Sequence, residues 1–367
     1  MSATPQSAPE ATDPASVPPE RLLIVRLSAM GDVLHSLPAV CALRKAFPST
    51  TIGWLLEERW AELLCAPAAP RHGARTPQKP VPHWVHTVRL REWRRLLLSR
   101  QTMRQISDAW KEVRSVGYNV ALDLQGAIRS ATLARWSGAA LVYGSDAAWE
   151  RPAAWLYNRK IRTHGRHVVE QWHSLAEALA GRRLAIENTE LPHSQKVQES
   201  IDSRLGELTR NGFAVISPGA GWGAKQWPAE RFGRVARQLA LSGLPSVVNY
   251  GPGEEGLACV VVRESGGAAQ PMQGSISELI ALLRRARLFI GGDTGPMHLA
   301  AALNVPVVAL FGPTDPARNG PYGTRSTVLR DPASVTSHAR RAEADPGLIK
   351  IRPEDVVQAA EKLLGTK

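Results

Sequence analysis

"RLSAMGDVLHSLPAV", Arg26 to Val40, is the stretch that decides the fold. It completes an apolar run, breaks at Met30-Gly31, where glycine permits a tight turn, and restarts as a helix over 33–46 with Asp32 at its mouth. Pro38, inside that helix, predicts a kink or a later true start. The apolar run begins upstream, in "RLLIVRLS" (21–28), and the strand-then-helix pattern recurs along the chain. "NVALDLQG" precedes a helix at 127–136 and "FAVISPGAG" one at 228–241, while "ARLFIGGDTG" precedes one at 296–303. "LPSVVNYGPG" and "VPVVALFGPT" add two more strands. Short Val/Ile/Leu runs alternating with helices predict parallel sheets of βαβ units. Two such series are visible, hence an α/β protein with two Rossmann-like parallel-sheet domains.

A chain of 367 residues fits two domains of roughly 150–180 residues. We read 1–20 as a disordered Pro/Ala/Ser/Thr-rich tail that lacks the basic start and apolar core of a signal peptide. Residues 21–192 form the first domain and 213–350 the second. The polar segment 193–212 is the linker region with an entering helix, and 351–367 supply a last helix that could pack back on the first domain. "APAAPRHGARTPQKPVP" (66–82) reads as a mobile surface loop of no assigned role. No apolar run approaches the ~18 residues that span a bilayer. Cys41, Cys65 and Cys259 stand apart without a CxxC pair, against a disulfide framework or zinc site and in favour of a reducing cytoplasm. The formal net charge of +12 favours an anionic partner, be it nucleic acid, membrane surface or acidic substrate.

Ligands of open α/β sheets bind outside the carboxyl ends of the strands, and four turns fall there. Asp32 occupies the first; helix capping, worth about 1 kcal/mol, explains it as well as chemistry does. The second, "SPGAGWGAKQWP" (217–228), offers glycines through which backbone N–H groups reach a phosphate, and Lys225 as a point charge, without forming a Walker motif. In the third, "GGDTGPMHLAAA" (291–302), Pro296 sits at a first helical position, and the N–H groups of Thr294, Gly295, Met297 and His298 point at an anion. His298 reads equally as a packed or solvent-facing side chain. The fourth, "NYGPGEEGLA" (249–258), carries Glu254 and Glu255, either able to take a ribose diol or simply to solvate a helix start. Three turns of one half thus describe a nucleoside diphosphate site, and the other half offers a carboxylate and a basic surface.

"VRLSAMGDVLHSLPAV", "SPGAGWGAKQWPAERF" and "GGDTGPMHLAAALNVPVVALFGPTDP" resemble the lipopolysaccharide heptosyltransferases, inverting glycosyltransferases of the GT-B fold. The resemblance runs from Arg21 onward, with three motifs in the right order and halves. "ALDLQGAIRSATLARWSG" and "RPAAWLYNRKIRTHGRHVVEQ" look more like heptosyltransferase I than II. It implies two domains facing across a cleft, and transfer of L-glycero-D-manno-heptose from ADP-L-glycero-β-D-manno-heptose to the first Kdo of Kdo2-lipid A. Asp32 would be the general base and Lys225 a donor-phosphate ligand. Asp293, Thr294, Gly295 and His298 would hold the diphosphate and heptose, Glu255, or next to it Glu254, the ribose, and the Gly274 backbone the adenine. Arg26 stands where the family often has lysine; with Arg91, Arg94 and Arg95 it would bind the acceptor, those three reading otherwise as a solvated helix face. Ala220 and Gly221 replace hydroxyl residues of some members, so contact there must come from backbone.

The same resemblance implies no cofactor and no metal, Lys225 and the helix at Pro296 stabilising the leaving ADP. It also implies a cytoplasmic protein held peripherally at the inner leaflet of the inner membrane. Alternatives are heptosyltransferase II, a GT-B sugar-nucleotide epimerase, a noncatalytic nucleotide-sugar sensor and, on charge alone, a nucleic-acid binder, for which no recognised module is visible.

Overall fold

A computed structural model describes residues 18–96, 99–337, 339 and 341–365. The expected tail lies outside the described residues up to 17. Its last residues are already tied down, since Pro19 O accepts from Thr50 Oγ1 at 2.5 Å and Glu20 O from Thr51 N at 2.8 Å.

The first sheet contains β1 (Arg21–Val25), β2 (Thr51–Glu57), β3 (Trp84–Val88), β4 (Val120–Asp123), β5 (Leu141–Ser145) and β6 (Arg159–Ile161), in the order β3-β2-β1-β4-β5-β6. The second contains β7 (Ala214–Ser217), β8 (Ser246–Tyr250), β9 (Ala269–Gln273), β10 (Leu288–Gly292), β11 (Val307–Leu310) and β12 (Ser326–Leu329), in the order β12-β11-β10-β7-β8-β9. Every pairing is parallel. Numbered within its own half, each sheet runs 3-2-1-4-5-6, so its order reverses between its first and fourth strands. The crevices at those two switch points are where such sheets bind ligands, and the Asp32, Ser217–Pro228 and Gly291–Ala302 turns all open there.

The helix after β1 runs Met30–Ala46 and continues through Pro38, so neither a late start nor a break occurs. Residues 33–43 are buried on every face of it, because it is clamped by β-sheet, by the Val168–Ala180 helix and by the Gly295–Ala302 helix of the other half. That explains an apolar sequence without a polar stripe.

Two expectations are corrected. The helix Pro353–Leu364 does not turn back to the first sheet; it packs on the Ala229–Leu241 helix and on β11 and β12, and Val356, Ala359 and Ala360 join the core of Ile216, Phe232 and Val308. The 66–82 segment is not a loose loop. Its Lys79, only 1% exposed, donates through Nζ to Gly73 O at 3.2 Å and His83 O at 2.8 Å, and Val85 N of β3 donates to Arg71 O at 2.9 Å. It covers the free edge of β3, which would otherwise offer unpaired backbone groups. The 193–212 stretch forms the helices Gln195–Leu205 and Leu208–Asn211, the first packed on the Ile276–Arg285 helix.

The packing of the last helix has a direct consequence for stability. Val356→Ala removes two buried methyl groups and leaves a cavity, a loss of about 2 kcal/mol. A clear drop in the urea midpoint is expected, with Gln358→Ala on the exposed face leaving it unchanged; equal midpoints would contradict the packing.

Candidate functional site

Asp32 lies in the first turn of the Met30–Ala46 helix, three residues past the N-cap position, which Ala29 occupies. Its Oδ2 accepts from Ala29 N at 3.0 Å and its Oδ1 from an Arg26 guanidinium nitrogen at 2.9 Å, yet its side chain is 44% exposed. Capping and an accessible carboxylate therefore coexist, since each oxygen keeps a lone pair. Arg26 is buried: it also donates to Leu124 O, and its guanidinium lies 5.0 Å from the Trp172 ring centroid. With its charge turned to Asp32, it is placed to orient that carboxylate rather than to reach an acceptor. The turn itself is held by Gln125, whose Oε1 accepts from Leu27 N at 2.8 Å and Ser28 N at 3.3 Å. Asp123, at the end of β4, is fully enclosed and shapes the Gln125 loop by accepting from Gln125 N, Ser130 Oγ and Tyr157 OH. Burial pushes its carboxyl upward against those hydrogen bonds.

Across the cleft, Lys225 ends a short 3-10 turn, Gly223–Lys225, strapped by Ala224 N to Arg341 O at 3.1 Å and Asp345 N to Ala224 O at 3.2 Å. Its Nζ donates to Asp293 Oδ2 at 2.5 Å and Asp293 O at 3.3 Å, and stands 4.3 Å from the Trp222 ring centroid. Two of three ammonium donors are so engaged, leaving one for a ligand. Asp293 is buried between Lys225 and His298, whose Nε2 is 3.1 Å from Oδ1. Burial opposes its ionisation, but the hydrogen bonds and charges of His298 and Lys225 prevail and hold it far below the usual carboxylate range. Thr294 is the N-cap residue of the Gly295–Ala302 helix, whose first N–H groups face the cleft end of β10.

Ala220 and Gly221 follow β7; nothing lies within 4 Å of where a Gly221 Cβ would stand, so backbone is open to approach. Gly219 is different, for its Cβ would fall 2.0 Å from Glu254 Oε1. Glu254 thus lies against the backbone of the Ser217–Pro228 loop, its Oε2 also accepting from Gly251 N at 2.8 Å. Glu255 is exposed and accepts from Gln273 Nε2 at 3.3 Å, next to Gly274. Of the two glutamates, Glu254 is the one brought to the loop.

The two faces interlock. A Cβ on Gly31 would stand 2.5 Å from His298 Cδ2, and one on Gly295 2.6 Å from Met30 Sδ, so the helix starts meet where only glycine fits. His298 Nδ1 is 3.0 Å from His35 Nε2, and the His35 and His167 rings meet edge to face at 5.5 Å. Burial, reinforced by the neighbouring His298 and His167, holds His35 well below its ordinary value and so neutral. Lys225, Asp293, His298 and His35 form one chain of polar contacts from the second half into the first. Behind it a cavity of about 200 Å³ is lined by Leu34, His35, Pro38, Val169, His298 and Tyr322, among others.

Arg91, Arg94 and Arg95 lie on the Leu90–Arg95 helix, all exposed, and none joins an ion pair among the described residues. Arg91 shares with Arg59 and Arg129 the field around Glu57, at the carboxyl end of β2. Glu57 N donates to Leu27 O at 3.0 Å, so this cluster borders the Asp32 turn. Arg94 lies beside an apolar groove floored by Trp93, Trp110 and Trp136.

Sequence reasoning missed Gln125, His35, Trp172, and the pairing of Arg26 with Asp32. Gln125 and His35 stood in quoted motifs, and so did Arg26 and Asp32, but nothing local signals what each of them contacts.

Residues 106–346 match the model of glycosyltransferase family 9 (heptosyltransferase). The lipopolysaccharide heptosyltransferase 1 of Pseudomonas aeruginosa is 32% identical over 326 residues, covering 84% of this chain and 82% of the relative. The lipopolysaccharide heptosyltransferase 3 of Escherichia coli K12 is 26% identical, covering 91% and 95%. Among solved structures, E. coli heptosyltransferase WaaC with ADP superimposes with a TM-score of 0.76 at 26% identity, covering 94% of this chain and 99% of that one. With the paired sheets and the cleft between them, these matches place the chain in glycosyltransferase family 9, and it is a heptosyltransferase of lipopolysaccharide core synthesis with a GT-B-like fold.

Proposed function

We propose that this chain is a heptosyltransferase I, moving L-glycero-D-manno-heptose from ADP-L-glycero-β-D-manno-heptose to the first Kdo of Kdo2-lipid A with inversion at the anomeric carbon. The observation that carries the chemistry is Asp32: a carboxylate clamped by Arg26 and Ala29 N, half exposed, one residue from the contact of Gly31 with His298. The similarity to a type 1 enzyme at 32% identity supports the choice of acceptor. The similarity to WaaC with ADP supports a nucleotide at the second switch point.

In this reading Asp32 takes the acceptor hydroxyl proton as the oxygen attacks the sugar. A carboxylate is a far weaker base than an alkoxide, so the hydroxyl proton is transferred late, after cleavage of the bond to the diphosphate is under way. Negative charge growing on the leaving ADP meets the remaining Lys225 donor and the N–H groups of the Thr294–His298 turn, charge stabilisation that needs no metal. Asp293 acts through its neighbours, fixing Lys225 and His298, while Glu254 or Glu255 takes the ribose diol and the Gly274 backbone borders the adenine. Arg91, Arg94 and Arg95 meet the Kdo carboxylates and lipid phosphates, for which the planar guanidinium is suited. The enzyme would work in the cytoplasm, peripherally at the inner leaflet of the inner membrane. No helix among the described residues is long and apolar enough to cross a membrane. A mass-resolved assay with ADP-heptose and Kdo2-lipid A, with and without a pre-added heptose, tests the acceptor: a product only with pre-added heptose would identify heptosyltransferase II instead.

Asp32→Asn keeps the shape and removes the proton acceptor, so kcat should fall about 10²–10⁴-fold with ADP binding unchanged. Turnover at the wild-type rate would leave Asp32 a capping residue only. EDTA should leave initial rates intact; loss of activity restored by Mg²⁺ or Mn²⁺ would overturn the metal-free step. Replacing Arg91, Arg94 and Arg95 together by alanine should raise acceptor KM by about tenfold, a modest effect because exposed charges are well screened. Donor affinity should stay constant, and the rise should shrink in high salt. Identical acceptor kinetics at low salt would place the acceptor elsewhere.

A further inference from the structure

The strongest unexplained group of side chains lies at the outer strand of the first sheet, two strands from β1. His72 comes from the 66–82 segment, His86 from β3, and Glu112 from the Arg100–Ser115 helix. His72 Nε2 stands 3.0 Å and His86 Nδ1 2.6 Å from the same oxygen, Glu112 Oε1, and the three ligand-type atoms lie within 4.8 Å of one another. We propose that these three side chains form a divalent metal site, of the class that binds Zn²⁺, which clips the 66–82 segment to the edge of the sheet. The proposal is independent of the heptosyl-transfer reading.

Two imidazole nitrogens and one carboxylate oxygen are a donor set suited to zinc, with bonds of about 2.0–2.2 Å, and three protein ligands leave a fourth position for water. Tetrahedral bonds of that length separate neighbouring donors by about 3.3 Å. Small rotations of Glu112 and His72, both partly exposed at 40% and 42%, reach that spacing. His86 is fixed instead. It is 1% exposed, and its other ring nitrogen lies 2.7 Å from the Tyr118 hydroxyl. The Tyr118 hydroxyl can accept the Nε2–H of a histidine that ligates through Nδ1. Such an outer partner, setting tautomer and ring orientation, is the usual company of a ligating histidine. His72 is oriented from the other side by the Trp84 ring, with centroids 4.8 Å apart.

The clip suits its surroundings. The segment carrying His72 already covers β3 through Arg71 O and is anchored at its far end by buried Lys79. An ion would join insertion, strand and helix at one point, in place of the two hydrogen bonds that now meet on one oxygen.

The test uses the full chain, free of any affinity tag, stripped with EDTA and desalted, then titrated with Zn²⁺ alone by calorimetry and with Co²⁺ by visible absorption. One Zn²⁺ per chain, a higher melting temperature with Zn²⁺ and the intense bands of four-coordinate Co²⁺ are expected. His72→Gln and Glu112→Gln should each abolish the bands, and Tyr118→Phe should weaken affinity about 10–100-fold. His72 lies on the surface, so His72→Gln should match the parent in circular dichroism and in heptosyl transfer. Absence of stoichiometric binding overturns the proposal. So does binding that survives both His72→Gln and Glu112→Gln, which would mean that the ion sits elsewhere.

Discussion

The close approach of two helix starts, Met30-Gly31 from one half and Gly295–His298 from the other, is the constraint from which the site follows. Neither side tolerates a Cβ there, since the His298 ring and the Met30 side chain fill the space. Because the helices pack side by side with their starts together, each half brings its sheet's switch point to the same cleft. The contact is sealed by the His35 to His298 hydrogen bond, 3.0 Å long and buried. A buried polar contact is stable only when its partners are satisfied, and neutral His35 meets that condition on the Nε2 side. The helix that delivers it is apolar all round for the same reason: it is core to both halves at once.

Two aspartates that open on the two switch points are treated in opposite ways. Asp293 is enclosed between Lys225 and His298, and its ionisation is enforced. Removing one member of such a group would strand a buried charge, a large penalty, so the trio behaves as a single fixed unit. Asp32 receives a guanidinium and a backbone N–H but stays open to solvent. Environment, not residue type, thus separates a carboxylate that holds its neighbours from one that can meet a substrate.

Legibility in the sequence follows the range of the interactions. Strands and the helices after them were readable because burial on both faces leaves continuous apolar runs, and the turns holding Asp32, Lys225 and Asp293 because glycine and proline mark them locally. The pairing of Arg26 with Asp32 was not legible. An arginine six residues before an aspartate has no periodic signature, and only the Gln125 loop, brought from nearly one hundred positions away, bends the turn so that they meet. His35 looked like a core residue of its helix, and is one, yet it is also half of a contact with a residue 263 positions away. The last helix showed its amphipathic pattern but not its partner, since an apolar stripe states that something is covered and not what. The 66–82 segment misled for the opposite reason: proline and polar residues read as a loop, whereas a single buried Lys79 bonded to carbonyls fastens it.

The distribution of charge adds a further distinction between the halves. In the second half several cations are met by acids: Lys225 by Asp293, Arg204 by Glu278, Arg285 by Asp202. In the first half Arg26 is likewise matched, but the Leu90–Arg95 helix leaves three guanidinium groups without an ion pair among the described residues, beside tryptophans that give it an apolar border. A field that is compensated internally selects by geometry, because a ligand must displace nothing and fit a fixed set of donors. An uncompensated field acts at longer range and with less regard to shape. The exposed guanidinium groups of the Leu90–Arg95 helix therefore act through charge at a distance, whereas the Lys225, Asp293 and His298 group acts through fixed geometry.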